Sequence, residues 1–176
     1  GGLTILLVTG VLSPSEALSG FGNEGLVTVA VLFVVAAGLQ ETGAMDHLVQ
    51  YFLGRPKSTT SAQARMMPLV MSLSAFLNNT PLVALFIPAI KDWAKKVDKL
   101  SVSKLMIPLS YAAILGGTCT LIGTSTNLVV NGLLISMTDH PGLGLFDIAW
   151  VGVQIAITGL IYVLVFSRCL LPDRVP

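Results

Sequence analysis

Two long uncharged stretches constrain the fold of this chain more than any other feature. Residues 66–90 and 105–138 contain no Asp, Glu, Lys or Arg, and each exceeds the roughly 20 residues that a helix needs to cross a bilayer. Residues 148–167 form a third such stretch, and residues 25–40 a shorter one. Charged residues make up 11% of the chain, against about 25% in soluble domains. The sequence therefore predicts an all-α, multi-pass integral membrane protein that is embedded in the lipid bilayer, which is one of its partners.

Composition also excludes other classes of protein. The net charge is +1 and no basic and aromatic stripe is present, so no nucleic-acid partner is expected. Cys119 and Cys169 lack the spacing of a zinc site or a disulfide framework. No nucleophile–base pair, metal cluster or phosphate loop is visible, so we predict that the chain is not an enzyme and holds no tightly bound cofactor.

The first long stretch is interrupted at its centre by the sequence Asn-Asn-Thr-Pro at 78–81. Adjacent asparagines are poor helix formers and are costly in hydrocarbon unless they are paired. Pro81 disfavours helix at the residue before it. We therefore expect two half-helices, 62–77 and 81–97, which together form a hairpin over about 62–97.

The second long stretch exceeds one span but is too short for two spans with a loop. Its middle, 116–127, is rich in Gly, Ser and Thr and predicts an unwound segment between half-helices 105–115 and 128–136, within a broken helix over about 104–137. A final spanning helix is expected over about 146–171. Irregular backbone is tolerated at membrane depth only where protein or a cavity supplies hydrogen-bond partners. Two such breaks are typical of the binding site of a secondary transporter.

The basic residues favour a re-entrant placement of the hairpin. If the chain turns back near residue 78, all 10 Lys and Arg residues lie on one side, which the positive-inside rule makes the cytoplasm. If the segment crosses the membrane instead, the lysines of 91–104 lie on the other side from the basic residues of 55–65, against the positive-inside rule. We therefore predict a plasma (inner) membrane protein with cytoplasmic basic loops.

The rest of the chain adds shorter elements. Residues 3–12 match the second part of a spanning helix, 25–40 a complete one, and 44–53 an amphipathic helix in the interface. The chain begins without Met and stops in a polar turn, so we expect it to be a fragment of a longer protein.

Neutral oxygen donors concentrate at the two breaks. Hydroxyls, amides and free carbonyls suit an alkali cation, and the N-terminus of the half-helix after Thr80 suits a carboxylate or sulfate. These segments contain no Asp, Glu or His, which favours sodium over protons as the coupling ion. The donors are Ser74, Asn78, Asn79, Thr80, Thr118, Thr120, Gly123, Thr124, Ser125, Thr126 and Asn127. Alternatively, such residues hold helices together without binding anything, and for Ser74 or Thr118 alone both interpretations stay open.

Two motifs, NNTPLVALFIP at 78–88 and PLSYAAILGGTCTLIGTSTN at 108–127, resemble the N-terminal half of the divalent anion:sodium symporter family, within the citrate transporter-like ion transporter superfamily. The likeness covers nearly the whole chain. It implies half of an inverted-repeat transporter with one re-entrant hairpin in each half. It also implies a missing C-terminal repeat, a homodimer, and a transport domain that moves by an elevator motion.

The resemblance also assigns roles by position. It implies substrate contacts for Asn79, Thr80 and Thr126. It implies sodium contacts for Ser74, Asn78, Asn79, Gly123, Thr124, Ser125 and Asn127. The chain departs from the family at Asn78, where a serine is usual, and at Ser125-Thr126, which replaces a Pro-Pro pair common in dicarboxylate members.

These observations predict sodium-coupled symport of a small divalent anion, either a di- or tricarboxylate or sulfate, by alternating access. One alternative is a sodium/proton or oxyanion antiporter of the same superfamily, which an acidic residue in the missing half would favour. A second is a channel-type or purely structural membrane subunit that does not transport.

Overall fold

The structure, a computed structural model, describes residues 1–22, 51–54, 56, 58–96 and 101–171, together with positions 27, 30, 31, 34, 38, 41 and 42. Over these residues every regular element is helical, which confirms the all-α prediction for the described part of the chain. The elements are α1 (Gly2–Val8), α2 (Pro14–Ser19), a short 3-10 helix (Gly20–Gly22), α3 (Thr59–Ser74), α4 (Asn79–Lys96), α5 (Ser103–Gly117), α6 (Ser125–Met137) and α7 (Ala149–Leu170). Most of the helix predicted over 25–40 and most of the interfacial helix predicted over 44–53 lie outside the described residues.

The first break separates α3 from α4. Helix α3 ends at Ser74 instead of residue 77, and α4 begins at Asn79 instead of residue 81. The side-chain oxygen of Asn78 accepts a hydrogen bond from the backbone N–H of Thr80 at 3.5 Å, so Asn78 acts as a cap at the start of α4. Pro81 lies in the first turn, where its missing N–H costs nothing, and the predicted start was therefore wrong by a few residues.

The second break, 118–124, separates α5 from α6. Both half-helices are longer than predicted, since α5 runs through Gly117 and α6 starts at Ser125. The cause is packing: Gly116 lies so close to the backbone of Met71 in α3 that a side chain would collide with it. The absence of side chains here permits close helix contact and does not end the helix.

Helix α7 is continuous. It has 22 residues and is the one helix in the described part of the chain that is long and apolar enough to cross a membrane. The uncharged stretches 66–90 and 105–138 each divide between two helices, and none of these four passes that test of length and composition.

Helix α3 lies at the centre of the bundle and packs most extensively along α5, with further contacts to α4 and α7. Its buried residues Met66, Met67 and Val70 join residues from two neighbouring helices in one core. The partners are Leu82, Phe86 and Ile90 of α4 and Leu105, Leu109, Ala112 and Ala113 of α5. The two breaks are therefore held by helices that share a core.

Four hydrogen bonds connect the helix ends that lie away from the breaks. The indole N–H of Trp93 donates to the carbonyl oxygen of Gly54 at 2.7 Å, which brings the end of α4 to the segment that precedes α3. The other three bonds link α3 to α5 and α7: Gln63 Nε2 to the Lys104 carbonyl (2.8 Å), Ser167 Oγ to Gln63 Oε1 (2.7 Å) and Arg168 Nε to Thr60 Oγ1 (2.8 Å). The start of α3 and the end of α4 thus lie together, as in a helical hairpin, and its re-entrant placement in a bilayer stays a prediction.

Candidate functional site

The two breaks lie against each other. The hydroxyl group of Thr120, in the second break, donates a hydrogen bond to the carbonyl oxygen of Ala75, in the first. A methyl group added to Gly123 would lie 3.0 Å from the carbonyl oxygen of Ser74, so the second break also packs closely on the end of α3. Segments that are far apart in the sequence therefore form one site.

Three oxygen atoms converge at the first break. The hydroxyl oxygen of Ser74 lies 2.7 Å from the side-chain oxygen of Asn79 and 2.7 Å from the carbonyl oxygen of Ala113 in α5. Ser74 is fully buried. A hydroxyl carries one hydrogen, so it can satisfy only one of the two acceptors at a time. Hydroxyl, amide and carbonyl oxygens placed this close together are neutral donors of the kind that an alkali cation takes as ligands.

Two glycines make room for this cluster. A methyl group added to Gly117 would lie 2.7 Å from Asn79 Oδ1 and 3.2 Å from the carbonyl oxygen of Gly123. A methyl group on Gly123 would lie 2.7 Å from the carbonyl oxygen of Gly117. The two distances of 2.7 Å are shorter than real contacts of a methyl carbon. The Asn79 side chain therefore keeps its place because Gly117 has no side chain, and the backbones at 117 and 123 can approach because Gly123 has none.

Asn127 uses its side-chain nitrogen to bind the backbone of the second break. Its side-chain nitrogen donates to the carbonyl oxygen of Gly117 at 3.2 Å and to that of Thr120 at 3.0 Å. These carbonyls belong to the end of α5 and to the break, where the helical ladder is interrupted. The amide group of Asn127 therefore holds the unwound backbone in shape.

The first turns of α4 and α6 carry the remaining predicted residues. Thr80 and Thr126 are exposed, and Thr124 and Ser125 are half-buried. Within the described residues, the hydroxyl groups of these four residues make no hydrogen bond. Helix N-termini carry partial positive charge and free N–H groups, so the hydroxyls beside them are available to an anion.

The structure thus brings Ser74, Asn79, Gly123 and Asn127 into one connected group. Asn78 instead caps α4 through its side-chain oxygen, and Thr118 donates to the carbonyl oxygen of Leu115 in its own helix at 2.7 Å. Sequence reasoning missed the Ala113 carbonyl, because every residue has one and no pattern distinguishes it. It also missed the role of Gly117, for which the Gly116-Gly117 pair was an available signal.

The site has no acidic component in the described part of the chain, where no group of three His, Cys, Asp or Glu residues could hold a metal ion. A bound cation would therefore be coordinated by neutral oxygens, which suits a monovalent ion that must also leave again.

One apolar groove is separate from this cluster. It is a groove of about 930 Å³ between α5 and α7, and the residues around it are mostly apolar or aromatic, including Ile107, Tyr111, Tyr162 and Phe166. None of the predicted site residues lines it. Its apolar character is typical of a surface that faces lipid or another helix.

Comparison with known proteins places the sequence among transporters. The citrate transporter family profile matches residues 1–176. The chain is 45% identical over 170 residues to the probable sodium/sulfate cotransporter 3 of Chlamydomonas reinhardtii, covering 93% of this chain and 19% of that protein.

Two further relatives are similar over almost the whole chain. A putative sulfur deprivation response regulator of the same alga is 42% identical over 173 residues, covering 97% of this chain and 29% of the relative. An uncharacterized transporter of Synechocystis sp. is 39% identical over 171 residues, covering 97% of this chain and 28% of the relative. The chain therefore spans less than a third of the length of these relatives.

Proposed function

The chain belongs to the citrate transporter family, and from that premise we propose that it supplies one half of the transport site of a sodium-coupled symporter for a small divalent anion. The second half of the site would come from a C-terminal repeat beyond this chain. The protein would work in the plasma membrane as a homodimer and by alternating access.

One observation carries the sodium part of the proposal. The Ser74 hydroxyl has a single hydrogen for two oxygens that each lie 2.7 Å away, Asn79 Oδ1 and the Ala113 carbonyl oxygen. A sodium ion beside these oxygens would be coordinated by lone pairs that the hydroxyl hydrogen does not engage. The breaks contain no carboxylate, so the cation could bind and leave without a proton transfer.

The anion part rests on the neighbouring helix starts. The unbonded hydroxyl groups of Thr80, Ser125 and Thr126 lie in the first turns of α4 and α6, where the N–H groups and the helix dipoles favour negative charge. Among the candidate anions we place sulfate first. Relatives at 44–45% identity are named sodium/sulfate cotransporters, and the two hydroxyls at 125–126 add donors where a Pro-Pro pair would have none.

The test is uptake by the full-length parent protein in proteoliposomes. Radiolabelled sulfate, succinate and citrate are each offered with an inward sodium gradient, an outward one, or none. Symport predicts accumulation only with the inward gradient. Accumulation with the outward gradient would instead favour the antiporter alternative, and the absence of any saturable uptake would favour the structural subunit.

Three variants locate the site. Asn79→Ala and Ser74→Ala should abolish or strongly reduce sodium-dependent uptake. Ser72→Ala is the matched control, because the exposed Ser72 hydroxyl bonds only to the Pro68 carbonyl of its own helix. Equal uptake in all three variants would contradict a sodium site at the first break.

A further inference from the structure

Thr120 connects the two breaks through its hydroxyl group and holds the second break through its carbonyl group. Its hydroxyl donates to the carbonyl oxygen of Ala75, next to Ser74. Its own carbonyl oxygen accepts from the Asn127 side chain at 3.0 Å and from the backbone N–H of Gly123 at 3.3 Å. One residue thus links the end of α3, the middle of the second break and the first turn of α6.

The position of Thr120 makes this link strong. The residue is 2% exposed, so water cannot replace a lost hydrogen-bond partner, and an unsatisfied buried carbonyl costs about 1–3 kcal/mol. Ala75 lies 45 residues away in the sequence, so local helix geometry does not set the separation of the two breaks. The Thr120 hydroxyl joins them directly, and the close packing of Gly123 on Ser74 reinforces the contact.

The geometry points to Thr120 as the positioning residue that holds the oxygen cluster of Ser74 and Asn79 at a fixed distance from the second break and the start of α6. This inference rests on the proposed function, since it concerns the same site. Thr120 does not touch the cation. It sets the distance between the group that binds sodium and the helix start that faces the anion, so its loss should weaken sodium binding.

The first experiment measures sodium dependence in the full-length parent. Thr120→Val keeps the shape of the side chain and removes the hydroxyl, whereas Thr120→Ser keeps the hydroxyl. In Thr120→Val, the sodium concentration for half-maximal uptake should rise about tenfold, which corresponds to about 1.4 kcal/mol. The maximal rate at saturating sodium should change little. Thr120→Ser should restore most of the sodium affinity.

The matched control is Thr118→Val. Thr118 lies in the same break, but its hydroxyl donates to the nearby Leu115 carbonyl at the end of α5 and not to the first break, so sodium dependence should stay normal. A general folding defect would lower the maximal rate and leave the half-saturating sodium concentration unchanged. An unchanged sodium dependence in Thr120→Val would overturn the inference.

A second measurement does not need transport. Cys119 is half-buried between Thr118 and Thr120, and its reaction rate with N-ethylmaleimide reports how tightly the break is held. With other cysteines of the parent replaced, Thr120→Val should speed labelling several-fold, and Thr120→Ser should not. If wild type does not transport but labelling follows this pattern, the proposed function fails and the positioning role stands. Equal labelling rates in wild type and Thr120→Val would overturn the positioning role.

Discussion

The side chain of Asn79 lies directly against the backbone of Gly117, at a point where an added methyl group would stand 2.7 Å from Asn79 Oδ1. The contact joins the first turn of α4 to the last residue of α5. It leaves no space between the helix that ends at the second break and the amide that we place at the sodium site.

Gly117→Ala should therefore impair transport. The methyl group would displace the Asn79 amide, and sodium-dependent uptake by the full-length parent should fall at least about tenfold. Gly159→Ala is the control, because its methyl group would meet only the flexible end of the Leu115 side chain. Normal uptake in Gly117→Ala, measured in proteoliposomes at equal protein content, would argue against a site at Asn79.

Replacement by aspartate should have different effects on stability at two asparagines that lie one turn apart on α6. Asn127 donates to the carbonyls of Gly117 and Thr120, so Asn127→Asp removes the donor and places a charge beside two acceptors. Asn131 accepts from the N–H of Leu143 at 2.7 Å, and Asn131→Asp keeps that acceptor. We expect Asn127→Asp to lower the free energy of unfolding by about 2–4 kcal/mol and Asn131→Asp, which keeps its hydrogen bond, to lower it by less.

Thermal unfolding followed by size-exclusion chromatography in detergent would compare these two variants. An equal loss of stability at the two positions would contradict the prediction, because it would show that stability does not depend on the Asn127 side chain acting as a donor.

Trp93 should stabilise the contact between the end of α4 and the segment that precedes α3. Trp93→Phe retains most of the ring but loses the bond to Gly54, and the expected loss of stability is about 1 kcal/mol. The control is Trp150→Phe, because Trp150 is 82% exposed and its replacement should leave stability unchanged. The same thermal unfolding assay would measure the stability of both variants. A Trp93→Phe variant as stable as wild type would contradict this role.

The re-entrant placement can be tested by labelling single cysteines. Ser58→Cys and Lys95→Cys flank the helix pair α3–α4, and both positions are exposed. In a background without other cysteines, an impermeant maleimide should reach both from the cytoplasmic side and should reach Asp139→Cys from the opposite side. Labelling of Ser58→Cys and Lys95→Cys from opposite sides would show that the segment crosses the membrane.

Sequence reasoning predicted the existence of both breaks, because their causes are local. Consecutive asparagines followed by Pro81, and the glycines and hydroxyl residues of 116–127, disfavour a helix whatever surrounds them. The helix bounds were less accurate. Helix α5 continues through Gly117, since contact with α3 at Met71 stabilises a turn that glycine propensity alone would have ended.

The roles within the site could be predicted only in part. Residue type marked Ser74 and Asn79 as oxygen donors, but it could not show that the Asn127 amide is used to hold backbone carbonyls. Nor could it show that Asn78 caps α4. Amides both donate and accept, and only the positions of their neighbours decide which group is used.

The sequence by itself determined the class of protein and the places where its helices are interrupted, because hydropathy and backbone propensity act over a few neighbouring residues. The tertiary structure alone decided that the two breaks meet, that the Ala113 carbonyl joins the cluster and that Thr120 links the two segments. These contacts span 39 and 45 residues of sequence, and the packing of α3 against α5 brings them together.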